Sequence, residues 1–196
     1  MPKICFIHTD TNGLHKSTDN VTTKTLYKFA RIIALHYMVG NYSDGKFTEL
    51  FRKDIILKPN TINFDLNACK IHKITQNEAN LKGLDNMNVM TTFEKDIRDI
   101  NIIVSFNLQF HIKTIQVECF RTSISIDFNK KILVCMGSFG HAHTYPKFVD
   151  LINKFKINTA QSLLDQYKDL YIVLYGEYVK GLSHKSVNDN DCCFID

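Results

Sequence analysis

Tryptophan is absent from this chain of 196 residues, and proline and glycine are scarce, at 3 and 8. No Pro- or Gly-rich stretch marks an internal linker and no segment repeats, so the sequence reads as one domain with room for a sizeable core. Long apolar runs are missing as well. None approaches the roughly 20 residues that cross a bilayer, so no membrane-spanning segment is expected. The run Ile4-Cys5-Phe6-Ile7 after Met1-Pro2-Lys3 is too short for the apolar core of a secretory signal. The six cysteines (Cys5, Cys69, Cys119, Cys135, Cys192, Cys193) lack C-x-x-C spacing, and four sit in apolar runs. They read as buried thiols of a reducing, intracellular compartment: the cytoplasm, or the host cytoplasm or a virion if the source is viral. A Cys-a-a-X box starting at Cys193 would end in Asp196, a poor prenylation ending. Arginine is rare, 4 against 20 lysines, and the net charge of +4 permits nucleic-acid contact without demanding it. Usage rich in Lys, Asn and Ile suggests an AT-rich genome, such as that of a large DNA virus or a parasite, and is silent on mechanism.

What is present is an alternation of strand and helix signals. Ile4–Ile7 opens as a strand and breaks into the polar turn His8-Thr9-Asp10-Thr11-Asn12-Gly13-Leu14. Residues 29–39 form a second strand and 46–57 a third, with Asn41–Gly45 as the turn between them, so the first three strands read as an antiparallel meander. Thr75 followed by Glu78 is a capping-box pattern for a short helix that stops near Gly83. Thr91-Thr92 open another helix. Asn101–Phe106 reads as a buried strand leading into a helix over 108–121, with Leu108, Ile112, Ile115 and Cys119 on one stripe. Residues 123–136 alternate in two stretches, a strand with a preceding hairpin, and 137–145 form a loop. Pro146 sits where a helix begins, Phe148, Leu151, Ile152 and Phe155 have helical spacing, and a last helix spans 159–178. The order predicts an α/β fold, a mixed sheet covered by helices.

Four local patterns, in order across residues 4–178, carry a resemblance. They are the strand and Gly13-Leu14 turn; Pro59, then Ala68-Cys69-Lys70-Ile71-His72-Lys73-Ile74-Thr75 and Gly83; Ile103-Val104-Ser105-Phe106-Asn107-Leu108-Gln109-Phe110-His111; and Cys135-Met136, then Tyr145-Pro146-Lys147-Phe148-Val149-Asp150-Leu151. Together they resemble the DEDDh 3′–5′ exonuclease superfamily, the proofreading-subunit and RNase T-like proteins. The resemblance implies a ribonuclease H-like mixed sheet, antiparallel in its first three strands and parallel thereafter, over residues 1–182, with 183–196 as a polar tail.

The resemblance also implies a chemistry, and the matched positions depart from it. Such enzymes hydrolyse phosphodiesters with two Mg²⁺ or Mn²⁺ ions held by four carboxylates, and a His activates the attacking water. Here the four carboxylate positions hold His8, Asp10, His111 and Leu163, and the base position holds Asn158. One carboxylate cannot offset two divalent cations, and an amide takes no proton near neutral pH. The expected function is therefore a catalytically inactive exonuclease fold kept to bind a nucleic acid (a single strand or 3′ end) or a protein partner. No cofactor is expected; Mg²⁺ or Mn²⁺ belongs only with residual nuclease activity. Gly13, Leu14 and Asn107 are the matched nucleic-acid-binding positions, and Phe106, Phe110 and Phe139 are stacking or core aromatics.

Competing readings stand beside this one. His8, Asp10 and His111 converge in such a fold, and two His with one carboxylate can bind Zn²⁺ or Fe²⁺. Against this, the two imidazoles read as polar filler at former acidic positions, which is the favoured reading. An active exonuclease with an altered metal site would recruit Asp165 or Asp127 to Asp10. A purely structural role in a larger assembly is a third possibility. His141 and His143 read as loop residues, His36 and His72 as packed residues, and Lys130-Lys131 as a solvated face.

Overall fold

The computed structural model describes residues 2–59, 63–138 and 145–182, with side chains placed as far as Tyr175. Phe139, His141, His143, Cys192, Cys193 and the expected tail from Ser183 lie outside the described residues. In chain order the elements are β1 (Lys3–Thr11), β2 (Ile32–Ser43), β3 (Lys46–Ile56), α1 (Leu66–His72), α2 (Gln76–Lys82), α3 (Asn86–Ile97), β4 (Ile102–Ser105), α4 (Leu108–Thr122), β5 (Ile132–Cys135), α5 (Phe148–Lys154) and α6 (Leu163–Leu182). The strands form one five-stranded sheet in the order β3-β2-β1-β4-β5. β1, β2 and β3 pair antiparallel, while β4 and β5 run parallel to β1. This is the mixed sheet that the sequence implied.

Strand alternation divides β1 between two cores. Cys5 and Ile7 face α3 and α4, where Val89, Met90, Phe93, Ile97, Leu108, Ile112, Ile115 and Cys119 pack. Ile4 and Phe6 face α5 and α6, where Leu151, Leu164, Tyr167, Leu170, Tyr171 and Leu174 pack. Burial on both faces explains why β1 is a continuous apolar run, and why its change to His8-Thr9-Asp10 marks the place where cover ends. No helix among the described residues is long and apolar enough to cross a membrane.

Several boundaries differ from the sequence reading, each for a local reason. β2 starts at Ile32 rather than at residue 29, because Asn12 Oδ1 accepts the Arg31 N–H (2.7 Å) and Phe29 closes a 3₁₀ turn over Leu26–Lys28. β2 runs on through Ser43, since the hairpin needs only Asp44 and Gly45, both at positive φ (50° and 73°), as a tight two-residue turn requires. β3 ends at Ile56; Leu57 makes a single bridge to Leu84. α3 opens at Asn86 and not at Thr91, because Asp85 accepts the Asn88 N–H (3.0 Å) as N-cap. No hairpin precedes β5: Ser123 leaves α4 at φ 55°, Ile124 and Ile126 pack on the first core, and Asp127 caps a 3₁₀ turn. Pro146 lies before the Lys147 N-cap of α5. α6 begins at Leu163 rather than 159, where the Ser162 hydroxyl accepts the Asp165 N–H (3.2 Å), and runs to Leu182. The capping box holds: Thr75 Oγ1 accepts the Glu78 N–H (3.1 Å), and α2 stops at Gly83.

Candidate functional site at the open end of β1

The parallel strands β1, β4 and β5 end on one side of the sheet, where ligands bind in open α/β sheets. Three registered neighbours build the floor there. His8 of β1 pairs with His36 of β2, and His36 pairs with Asp54 of β3, so the three side chains form one polar row. Asp10, two residues on, points to the same face.

These groups form one hydrogen-bonded chain. Tyr167 Oη of α6 lies 3.1 Å from His8 Nδ1, and His8 Nε2 lies 3.3 Å from Asp10 Oδ1. His36 Nε2 lies 3.1 Å from Asp10 Oδ2, and His36 Nδ1 lies 2.7 Å from Asp54 Oδ1. A His8 ring carrying its proton on Nε2 satisfies both contacts, donating to Asp10 and accepting from the Tyr167 hydroxyl. His36 meets a carboxylate at each nitrogen, and only an imidazolium donates to both. Burial alone would lower its pKa, but the bonds to Asp10 and Asp54 outweigh burial and raise it. For Asp10, burial pushes upward, and the bonds from His36 and His8 override it, holding the carboxyl well below the usual carboxylate range. Side-chain exposure falls from 60% at Asp54 to 16% at Asp10, so the charge pair closes inward.

His111 closes the row from α4. Its Nδ1 accepts from the Thr9 N–H (3.1 Å) and contacts Thr9 Oγ1 (2.9 Å), and its ring centroid lies 4.7 Å from that of His8. Burial first, and the charge of neighbouring His8 second, push its pKa down to about 3. His8, Asp10 and His111 thus converge as the sequence reading expected. Among the described residues, however, no group of three His, Cys, Asp or Glu side chains is arranged to hold a metal ion.

A cavity of about 430 Å³ opens over the row, bounded by His8, Asp10, His36, Asp54, His72 and the Leu163 turn. Leu163 thus shares this cavity with Asp10. Asn158 is exposed instead, its Oδ1 accepting the Ala160 N–H (3.0 Å), and it does not line the cavity. Asp165 turns away to Arg52 (2.9 and 3.0 Å) and Ser162 (2.6 Å). Asp127 precedes β5, at the opposite end of the parallel strands from Asp10. Gly13 and Leu14 line a second cleft, and Asn107, at φ 54°, donates its N–H to Tyr145 Oη (2.7 Å). Phe106 packs between Tyr145 and Phe148, and Phe110 lies against His15.

A pair of hard divalent cations needs several oxygen ligands and prefers carboxylates. Asp10 is the one carboxylate at the matched positions, and both its oxygens are taken by imidazoles. The residues do not fit such a pair. His36, Asp54 and Tyr167 were not singled out as site residues from the sequence. The available signal was weak: His36 interrupts an apolar run, but its meeting with Asp10 depends on strand register. His72 also lines the cavity; its Nδ1 accepts the Ile74 N–H (3.0 Å), which puts the proton on Nε2, buried with no partner among the described residues.

No protein-family model matches the chain, and no curated protein matches it by sequence. Solved structures do match. E. coli exonuclease I in complex with a dT13 oligonucleotide superposes with a TM-score of 0.65 at 13% identity, covering 93% of this chain. The same enzyme with the inhibitor BCBP gives a TM-score of 0.69 at 12% identity and 93% coverage. A zinc-bound form of its complex with single-stranded DNA gives 0.62 at 13% and 93%. This chain spans less than half of those chains, 41–44% of their length. At such identity the likeness establishes the fold: the chain has the exonuclease, ribonuclease H-like architecture.

Proposed function

We propose that this protein is an exonuclease fold that does not cleave by two-metal chemistry and serves as a binding module for single-stranded nucleic acid. The observation that carries the reading is the state of Asp10. Its carboxylate is held between His8 and His36, and the positions that the resemblance assigns to further carboxylates hold His111 and Leu163. An imidazolium already neutralises the charge that a cation would meet, so no divalent cofactor is required. Nucleic acid is favoured as the partner because the structural neighbours include exonuclease I bound to oligonucleotides, and the chain carries a net charge of +4. Fold and activity separate readily, so losing the catalytic groups leaves a usable surface.

The test is a nuclease assay on labelled single-stranded DNA and RNA with Mg²⁺ or Mn²⁺, alongside binding at low salt. The expected outcome is binding without shortening of the strand. Stepwise 3′–5′ degradation that disappears in Asp10→Ala would overturn the first half of the reading. Absence of binding to either strand at low salt would overturn the second and leave a protein partner as the role.

A further inference from the structure

The connection between β1 and β2, residues 12–31, folds back on itself and is tied to α4. Asn12 and Arg31 close its base: the Asn12 N–H donates to Arg31 O (3.0 Å), and the Arg31 N–H donates to Asn12 Oδ1 (2.7 Å). Further out, the Lys16 N–H donates to Lys28 O (2.8 Å). The connection is thus a closed strap, and it forms one side of the second cleft, of about 390 Å³, through Gly13, Leu14, Lys16 and Tyr27. From α4, Lys113 Nζ donates to Asp19 O (3.0 Å), and the Arg121 guanidinium donates to Leu26 O and Phe29 O (both 3.0 Å) and to Ala30 O (3.3 Å).

One side chain of the strap reaches the other way. The His15 ring lies between Phe29 of the strap and Phe110 of α4, at centroid distances of 5.6 and 5.0 Å. Its Nδ1 accepts the Ala30 N–H (3.1 Å), and its Nε2 lies 3.2 Å from Thr114 Oγ1, whose own proton goes to Phe110 O (2.8 Å). These bonds fix one protonation state. Nδ1 must be bare to accept, and the proton sits on Nε2, where the Thr114 oxygen accepts it. A second proton sets N–H against N–H at Ala30 and leaves that buried amide unpaired. The surroundings oppose that proton as well. Burial first, then Lys113 and Arg121, lower the His15 pKa against a raising bond from Phe110 O, and Lys113 Nζ already lies 5.0 Å from the Phe29 ring centroid. The carboxylates of the strap and of α4 are engaged elsewhere, Asp19 with Lys28 and Glu118 with Arg31 and Arg121. His111, the other imidazole of α4, meets Thr9 and His8. Lysine and arginine side chains hold their protons wherever an imidazole titrates, so His15 is the tether that changes.

We propose that the strap over residues 12–31 is an acid-released element: neutral His15 pins it to α4, and an imidazolium at His15 lets it lift. Lifting uncovers the Phe110 ring and takes away one side of the 390 Å³ cleft, so the cleft keeps its shape only while His15 is neutral. The sign follows from the direction of the shift. The folded pKa lies below the ordinary 6.5, so the strap is fully pinned above 6.5 and loses its hold as pH falls from there to the folded value. This device stands whether or not the protein binds nucleic acid.

The test is amide hydrogen exchange on the full chain, read as protection of the strap relative to β2 so that global unfolding cancels. Between about pH 7 and pH 5 the wild-type ratio falls severalfold, with about tenfold per pH unit as the limit for one proton. His15→Asn keeps an acceptor oxygen near the place of Nδ1 and takes no proton, and its ratio stays level with pH. His15→Phe fills the space between the two rings without an acceptor, and its strap is loose at both pH values. A wild-type ratio that does not change with pH overturns the proposal. So does the same pH dependence in His15→Asn, or wild-type protection in His15→Phe at pH 7. Should a variant not fold, an NMR titration of the wild type decides: the Ala30 amide shift follows the His15 ring with a shared midpoint below 6.5, and an Ala30 amide indifferent to that titration overturns the pin.

Discussion

Asp10 shows how one side chain can keep its identity and change its work. A carboxylate at the end of β1 accepts, and what it accepts from is set by its neighbours. Here those are two imidazoles, with His36 clamped between Asp10 and Asp54. Asp10→Asn keeps the shape and removes the charge. Its amide accepts from one ring and turns an N–H₂ toward the other, so one contact of the row becomes donor against donor. Two results are expected. In an NMR titration the His36 pKa drops from its raised value toward the ordinary 6.5, since a partner that raised it is gone. Stability in urea falls by about 1.5–3 kcal/mol, the range for hydrogen bonds to charged groups. An unchanged His36 titration would mean that Asp54 alone sets its charge.

At the scale of elements, α4 is tied down by a buried charge. Glu118 has no exposed surface and accepts from Arg31 at 2.8 and 3.1 Å, from Arg121 at 3.2 Å and from Asn86 at 2.9 Å. It thereby joins α4 to the start of α3 and to the segment leading into β2. Glu118→Ala leaves partly buried Arg121 and Arg31 without their carboxylate. The expected cost is about 3–5 kcal/mol in chemical unfolding, against near-neutral effects for the exposed pair Lys130–Asp127. The sequence pattern located α4 well because its stripe of Leu108, Ile112, Ile115 and Cys119 is buried as read. It missed α1 because Leu66 and Ile71 are 76% and 81% exposed, so no inward stripe marks that helix; its caps at Asp65 and Lys73 do. The convergence of His8 with His111 was legible because the strand and helix holding them are each clear in the sequence. The role of His36 was not, because it rests on a β1–β2 register with a bulge at Asp10/Thr11 that no residue pattern announces.

Across the whole molecule, two histidines titrate in opposite senses and together shape the pH dependence of stability. His111, and His15 in the same direction, have pKa values below the ordinary 6.5, each chiefly through burial. Between about 3 and 6.5 the unfolded chain therefore binds more protons than the folded one, and stability rises with pH at up to about 1.4 kcal/mol per unit for each such group. His36 is raised, so its contribution is fully present below 6.5 and is lost as pH rises through its folded pKa. Asp10 and Glu118 are lowered from 3.8 and 4.5, so their contributions are complete above those values and add no slope near neutrality. Buried Cys5 begins to matter only toward 9.0, where its unfolded thiol ionises. The sum is a stability maximum near pH 6.5, with an acid limb owed to His111 and His15 and an alkaline limb owed to His36. Urea midpoints measured from pH 4 to 8.5 test it directly. His36→Gln should flatten the alkaline limb and spare the acid one, and His111→Gln should make the acid limb shallower, leaving the share of His15, and spare the alkaline one. A profile that climbs steadily through neutrality in the wild type would show that His36 is not held as an imidazolium, and with it the self-neutralised row around Asp10 would fail.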